Sequence, residues 1–143
     1  MMMKNKKAGF TLIEILIVTV IVVLLSAIAI PNYLTHIQRS KRIAAGVTLH
    51  KAAHWMERRF TINHSYLNDD GSLPTLPMGL NQSPKTGAAN YVISLIVSDT
   101  SLATYKLQAT PQKVDKCGML LLDQTGARSV SNAMATLEEC WGG

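Results

Sequence analysis

From Phe10 to Ile30 the chain runs 21 residues with one strongly polar side chain, Glu14. A hydrocarbon core about 30 Å thick needs about 20 apolar residues in a helix, so this run predicts a membrane-spanning helix. Thr11, Thr19 and Ser26 interrupt it little, because their hydroxyls can bond back to the helix itself. Pro31 follows directly and favours a kink there. Beyond it the pattern turns amphipathic: Ala45, Leu49, Ala52, Met56 and Phe60 recur at spacings of three and four, which is one face of a helix. Arg39, Lys41, Arg42, Lys51, Arg58 and Arg59 mostly fall elsewhere and read as a solvated basic flank. The spacing therefore predicts one long helix from Phe10 to about Ile62, its second half packed under a head domain. Trp55 is expected between that helix and the sheet.

Residues 63–90 are rich in breakers, including Asp69-Asp70-Gly71, Leu73-Pro74, Leu76-Pro77, Met78-Gly79 and Ser83-Pro84. This predicts a long connection, either a contact loop or a spacer pinned on the sheet. Three strand-like runs follow, 90–97, 104–110 and 117–123, the second alternating with period two. Gln124-Thr125-Gly126-Ala127 reads as a turn, with a short fourth strand near Arg128–Val130. The fold class is α+β: a long N-terminal helix packed on a small antiparallel sheet.

Composition sharpens this picture. With 143 residues the chain holds one modest domain, and aromatics at 6% give its head a light core. The formal charge is +5, but Lys4, Lys6 and Lys7 precede Gly9; without them 11 basic and 9 acidic groups leave +2. The high charge is thus partly a property of the first nine residues, and it does not mark the whole protein as a nucleic-acid binder. The two cysteines, Cys117 and Cys140, in an exported chain predict a disulfide in an oxidising compartment.

Glu14 discriminates between readings of the apolar run. A secretory signal peptide would have a shorter apolar core, with Ala27-Ile28-Ala29 as a faint cleavage match. A plain signal anchor fits the length. Neither accounts for a carboxylate that costs about 2.5–3.5 kcal/mol near the membrane centre. The stretch Gly9-Phe10-Thr11-Leu12-Ile13-Glu14 behind a lysine-rich leader resembles the processing site of the type IV pilin (prepilin) family, and Ile30-Pro31-Asn32-Tyr33 continues the resemblance. Lys116-Cys117-Gly118, Leu122-Asp123-Gln124-Thr125-Gly126-Ala127 and Glu139-Cys140-Trp141 are most similar to PilE-type minor pilins.

The resemblance implies a pilin fold and a leader, 1–9, cut between Gly9 and Phe10 by prepilin peptidase. It further implies N-methylation of Phe10, a membrane and filament-core helix at 10–30, and a periplasmic head at 31–143. Glu14 and Pro31 become assembly residues, with Glu14 pairing the new amine of a neighbouring subunit. Cys117–Cys140 becomes the staple of an exposed C-terminal region. The implied role is a structural subunit, by its closest resemblance a minor one, of filaments for adhesion, twitching motility or DNA uptake. The implied partners are other pilins and the inner-membrane assembly platform. The chain would sit in the bacterial inner membrane, C-terminus periplasmic, before assembly and in the extracellular pilus after it.

No catalytic motif is present, so no enzyme activity, cofactor or metal is expected. His50, His54 and Glu57 share a helix face and could meet a metal, but such spacing arises readily on a polar face. Asp69-Asp70-Gly71 reads as a turn; it lacks the alternating acids of a calcium loop. The cluster Arg39, Lys41, Arg42 could meet DNA phosphates, with a solvated flank the favoured reading. Two other classes compete: a pseudopilin of type II secretion, whose tail would carry a calcium site in place of the cysteines, and a membrane-anchored periplasmic binding module that never polymerises.

Overall fold

A computed structural model describes residues 9–132 and 134–142. The leader lysines lie outside the described residues. The chain divides after His36 into two units.

In the N-terminal unit, helix α1 (Leu12–Asn63) begins. Thr11 caps it: its hydroxyl and carbonyl oxygens accept from the Glu14 N–H at 3.3 and 3.1 Å. Thr11 and Glu14 thus stand at the spacing of a capping box, a local signal separate from the apolar run. Thr19 and Ser26 donate to the carbonyls of Leu16 and Val22 at 2.8 and 2.7 Å, as their place in an apolar helix requires. Pro31 lies inside α1, and the carbonyl of Pro31 accepts from the Thr35 hydroxyl at 3.0 Å.

The head, from Ile37 onward, is the rest of α1 packed on a five-stranded antiparallel sheet. The strands are β1 (Gln82–Ser83), β2 (Tyr91–Leu95), β3 (Lys106–Pro111), β4 (Leu120–Asp123) and β5 (Arg128–Val130), and their order in the sheet follows the chain. The register sets Ile93 opposite Ala109, Ala109 opposite Leu120, and Leu107 opposite Leu122. Period-two alternation therefore puts Tyr91, Ile93, Leu107, Ala109, Leu120 and Leu122 on one buried face. They share one core with Ala45, Leu49, Ala52 and Met56, the predicted stripe of α1. Each buried leucine contributes about 1.5–3 kcal/mol.

Several expectations need correction. The long connection contains a strand: Ser83, the second residue of β1, is buried and pairs with Tyr91. Two polar residues carry no apolar alternation, so composition alone could not reveal it. The connection is also anchored. Tyr66 is buried, stacks on Phe60 at 4.6 Å and meets Tyr105 edge-on at 4.7 Å, while its N–H donates to Leu102. This favours the pinned spacer of the two sequence alternatives. Asp69-Asp70-Gly71 forms the expected turn, Asp70 accepting from the Ser72 N–H at 2.9 Å with Gly71 at φ 78°.

The strand expected over 117–123 is β4, which starts only at Leu120. Gly118, at φ 65°, turns the chain so tightly that a Cβ there would collide with Ser131. A last helix, α2 (Leu137–Trp141), follows β5. It is capped by Thr136, whose hydroxyl accepts from the Glu139 N–H, and it ends at Gly142 in the left-handed region.

Candidate assembly helix and C-terminal staple

Two features organise the candidate functional surface, and each belongs to its own unit. The first is the start of α1. Every large apolar side chain from Phe10 to Ile30 leaves at least 50% of its surface exposed within the chain. The most apolar 18-residue window of this helix has no buried residue. Gly9 and Phe10 precede the helix and are exposed. Glu14 is exposed too, and among the described residues its carboxylate takes no hydrogen bond; its backbone N–H donates to Thr11. A single helix with such a surface is stable only against lipid or against other helices.

The second feature is the disulfide. Cys117 and Cys140 are joined at 2.04 Å and both are fully buried. The bridge ties α2 to the turn before β4, so Cys117 lies ahead of the strand, whereas the run 117–123 predicts it on the strand. Trp141, next to the cystine, covers α1. A Cβ at Gly46 would sit 3.3 Å from its ring, close enough that a side chain there would push the indole outward by a few tenths of an ångström. His50 meets the ring edge-on at 5.9 Å, and the Arg128 guanidinium lies 5.4 Å from its centroid. The indole N–H donates to the Ser129 carbonyl at 3.3 Å. Lys116 pairs with Glu139 across the staple, and this hydrogen bond holds the Glu139 carboxyl below its ordinary value.

Arg42 corrects the sequence reading most sharply. Expected on the solvated flank, it is 4% exposed. Its Nε donates to both oxygens of Asp115, at 2.9 and 3.0 Å. Asp115 also accepts from the Cys117 N–H at 2.8 Å. The pair thus fixes the turn that carries the cystine against α1. Arg39, Lys51 and Arg58 do remain exposed.

His50, His54 and Glu57 are not gathered on a common centre. His50 faces Trp141, and burial first, then Arg128 and His54, lower its pKa. Glu57 accepts from the Tyr66 hydroxyl at 3.0 Å, and burial followed by this bond pushes the phenol up to about 12. Trp55 is half-buried against the core, with the Arg59 guanidinium 5.8 Å from its ring; Trp141, from α2, is the more buried tryptophan.

An unpartnered apolar helix start, joined in sequence to a disulfide-stapled helix-on-sheet head, defines an anchored subunit of the pilin class. Comparison with known proteins bears this out. The model for the prokaryotic N-terminal methylation motif matches residues 4–30. The model described as type IV minor pilin ComP, DNA uptake sequence receptor, matches residues 31–121. The chain is 32% identical over 120 residues to the type IV wide pilus major component PilA4 of Thermus thermophilus, an alignment covering 78% of this chain and 86% of the relative. Its fold resembles the non-core minor pilin PilV of Neisseria meningitidis, with a TM-score of 0.53 and 20% identity over 76% of this chain and 97% of the other. The chain belongs to the type IV pilin family. It is a structural subunit of a type IV pilus and not an enzyme.

Proposed function

We propose that this pilin is a minor subunit, cut between Gly9 and Phe10, N-methylated at Phe10, and docked into the filament by Glu14. Before assembly, residues 10–30 hold it in the inner membrane with the head periplasmic. Prepilin peptidase and the inner-membrane platform are its processing and assembly partners. The observation that carries the reading is the wholly exposed apolar start of α1 with one free carboxylate on it. Cleavage creates a positive amine at Phe10, and the Glu14 carboxylate of a neighbouring subunit can pair with it. Desolvation offsets much of the attraction, so the pair acts mainly on register: an unpaired buried carboxylate is costly, and one axial offset avoids it.

Mass spectrometry of sheared surface filaments tests this reading. It should find the chain at low copy, beginning at N-methylated Phe10. A terminus at Met1, or absence from all filaments, would remove the proposal. The Glu14→Ala variant should be processed and membrane-resident but scarce in filaments; normal incorporation would exclude the pairing.

The description of the matched ComP model favours a second role, contact with DNA. Arg39, Lys51 and Arg58 are exposed cations with no acidic partner among the described residues, which is what sequence-independent phosphate contact requires. Neutralising all three should weaken DNA binding by purified filaments and flatten its salt dependence; unchanged binding would end this reading.

A further inference from the structure

We propose that Asn63, the last residue of α1, is a modification site that carries an N-linked sugar. The chain contains two Asn-x-Ser triplets in which x is not proline, Asn63-His64-Ser65 and Asn81-Gln82-Ser83. This is the acceptor pattern for N-glycosylation of surface segments in exported proteins. Sequence alone ranks the two equally; their surroundings in the head do not.

The second triplet is built into the sheet. The Asn81 carbonyl accepts from the Ile93 N–H at 2.9 Å, and its side-chain oxygen accepts from the Gly79 N–H at 3.2 Å. Ser83 is 3% exposed and lies in β1 opposite Tyr91. A transferase could read that hydroxyl only by stripping β1 from the sheet. The first triplet is open. Asn63 and His64 are exposed, and among the described residues the Asn63 side-chain amide makes no hydrogen bond. The helix stops here because His64 takes φ 55°, its N–H donating to the Phe60 carbonyl at 2.8 Å. The half-buried Ser65 uses its hydroxyl within its own turn, accepting from the Leu67 N–H at 3.0 Å and donating to the Leu67 carbonyl at 3.2 Å. Such local contacts at a helix end open at low cost, and every strand stays paired when they do.

The surface beside Asn63 suits the product. Trp55, Arg58, Arg59 and Ile62, on the last turns of α1, form with Asn63 a pocket of about 200 Å³. The C–H face of a sugar ring packs on an indole, and guanidinium N–H groups donate to its hydroxyls. A sugar on Asn63 would also cover Ile62, which is 72% exposed. The donor is a glycosyl diphosphate, nucleotide- or lipid-linked. The Asn63 side-chain nitrogen bonds to the anomeric carbon, and the bond from that carbon to the diphosphate oxygen breaks. The electron pair leaves with the diphosphate, one amide proton goes to solvent, and nothing is oxidised or reduced.

The test takes the full chain from its native cells, from the membrane pool and from sheared filaments. Trypsin releases the peptide 60–85, which holds both asparagines, so electron-transfer fragmentation is needed to place a mass increment. The expected result is one or more sugar residues on Asn63 and none on Asn81. Ser65→Ala should abolish the increment, and Ser65→Thr should keep it. Unmodified Asn63 in both pools, or an increment that survives Ser65→Ala, overturns the site. Acrylamide should quench tryptophan emission less in the modified chain than in Asn63→Gln; equal quenching overturns the seat beside Trp55. The inference rests on export of the head and not on docking through Glu14. The N-terminal peptide of the same digest reports the processing at Phe10 separately, so either reading can fail without the other.

Discussion

Asp115→Asn removes one charge from the head while leaving a side chain of nearly the same shape. In the native protein Asp115 and Arg42 are 2% and 5% exposed at their side chains, and Asp115 accepts three hydrogen bonds, two from Arg42 Nε and one from the Cys117 N–H. An amide at this position can still accept from Cys117, so the loss falls on Arg42, left as a buried cation without its counter-charge. Breaking a buried pair from one side costs about 3–5 kcal/mol. For a head of about 100 residues each kcal/mol moves the melting midpoint by about 4 °C or more, so the midpoint should fall by about 12 °C or more. Near-UV circular dichroism of the full chain in neutral detergent, disulfide intact, reads this directly. The argument also requires asymmetry. Arg42→Met/Asp115→Asn removes both charges, keeps an acceptor for the Cys117 N–H, and should recover most of the loss, because no buried charge is left unpaired. A midpoint for Asp115→Asn within about 4 °C of wild type, or a double variant as unstable as the single one, would refute the reasoning.

Reducing the cystine, or Cys117→Ser/Cys140→Ser, should cost about 3.4 kcal/mol, because the bridge closes a loop with a sequence separation of 23; chemical denaturation with and without reductant gives the difference. Gly46→Leu should displace Trp141 and cost about 1–3 kcal/mol, seen as a red shift and gain of quencher access in tryptophan emission, with α1 still helical. His50 has a folded-state pKa below its unfolded value of about 6.5. Its contribution is therefore complete above about pH 6.5 and is lost as the pH falls through the lowered folded value. His50→Gln should flatten the fall of melting temperature between about pH 7 and pH 5; an unchanged slope would place the acid sensitivity elsewhere.

The parts of the fold that follow from a repeating pattern were readable from residue order. The apolar run to Ile30, the stripe Ala45, Leu49, Ala52, Met56 and the alternation of Leu107 and Ala109 each express one period of one element. Cys117 and Cys140 could be paired because only two cysteines exist. What escaped were features decided by a distant partner. Arg42 looks like any flank cation until Asp115, 73 positions later, covers it. Gln82 and Ser83 become a strand only because Tyr91 and Val92 present an edge to them. The approach of Trp141 to Gly46 is invisible in either neighbourhood alone. Of the proposed processing and assembly residues, Gly9, Phe10 and Glu14 could be named from the sequence motif, but not that Thr11 would cap the helix start beside them.

The sheet is bounded by its two shortest strands, two residues in β1 and three in β5. An edge that brief offers almost no backbone ladder for another chain to extend. A filament crowds many pilin heads side by side, at concentrations where open sheet edges would zip together irreversibly. Margins this short leave side chains and helices, rather than a shared backbone ladder, as the surfaces through which heads can touch. Blunt sheet margins are thus compatible with a fibre that can be dismantled as well as built.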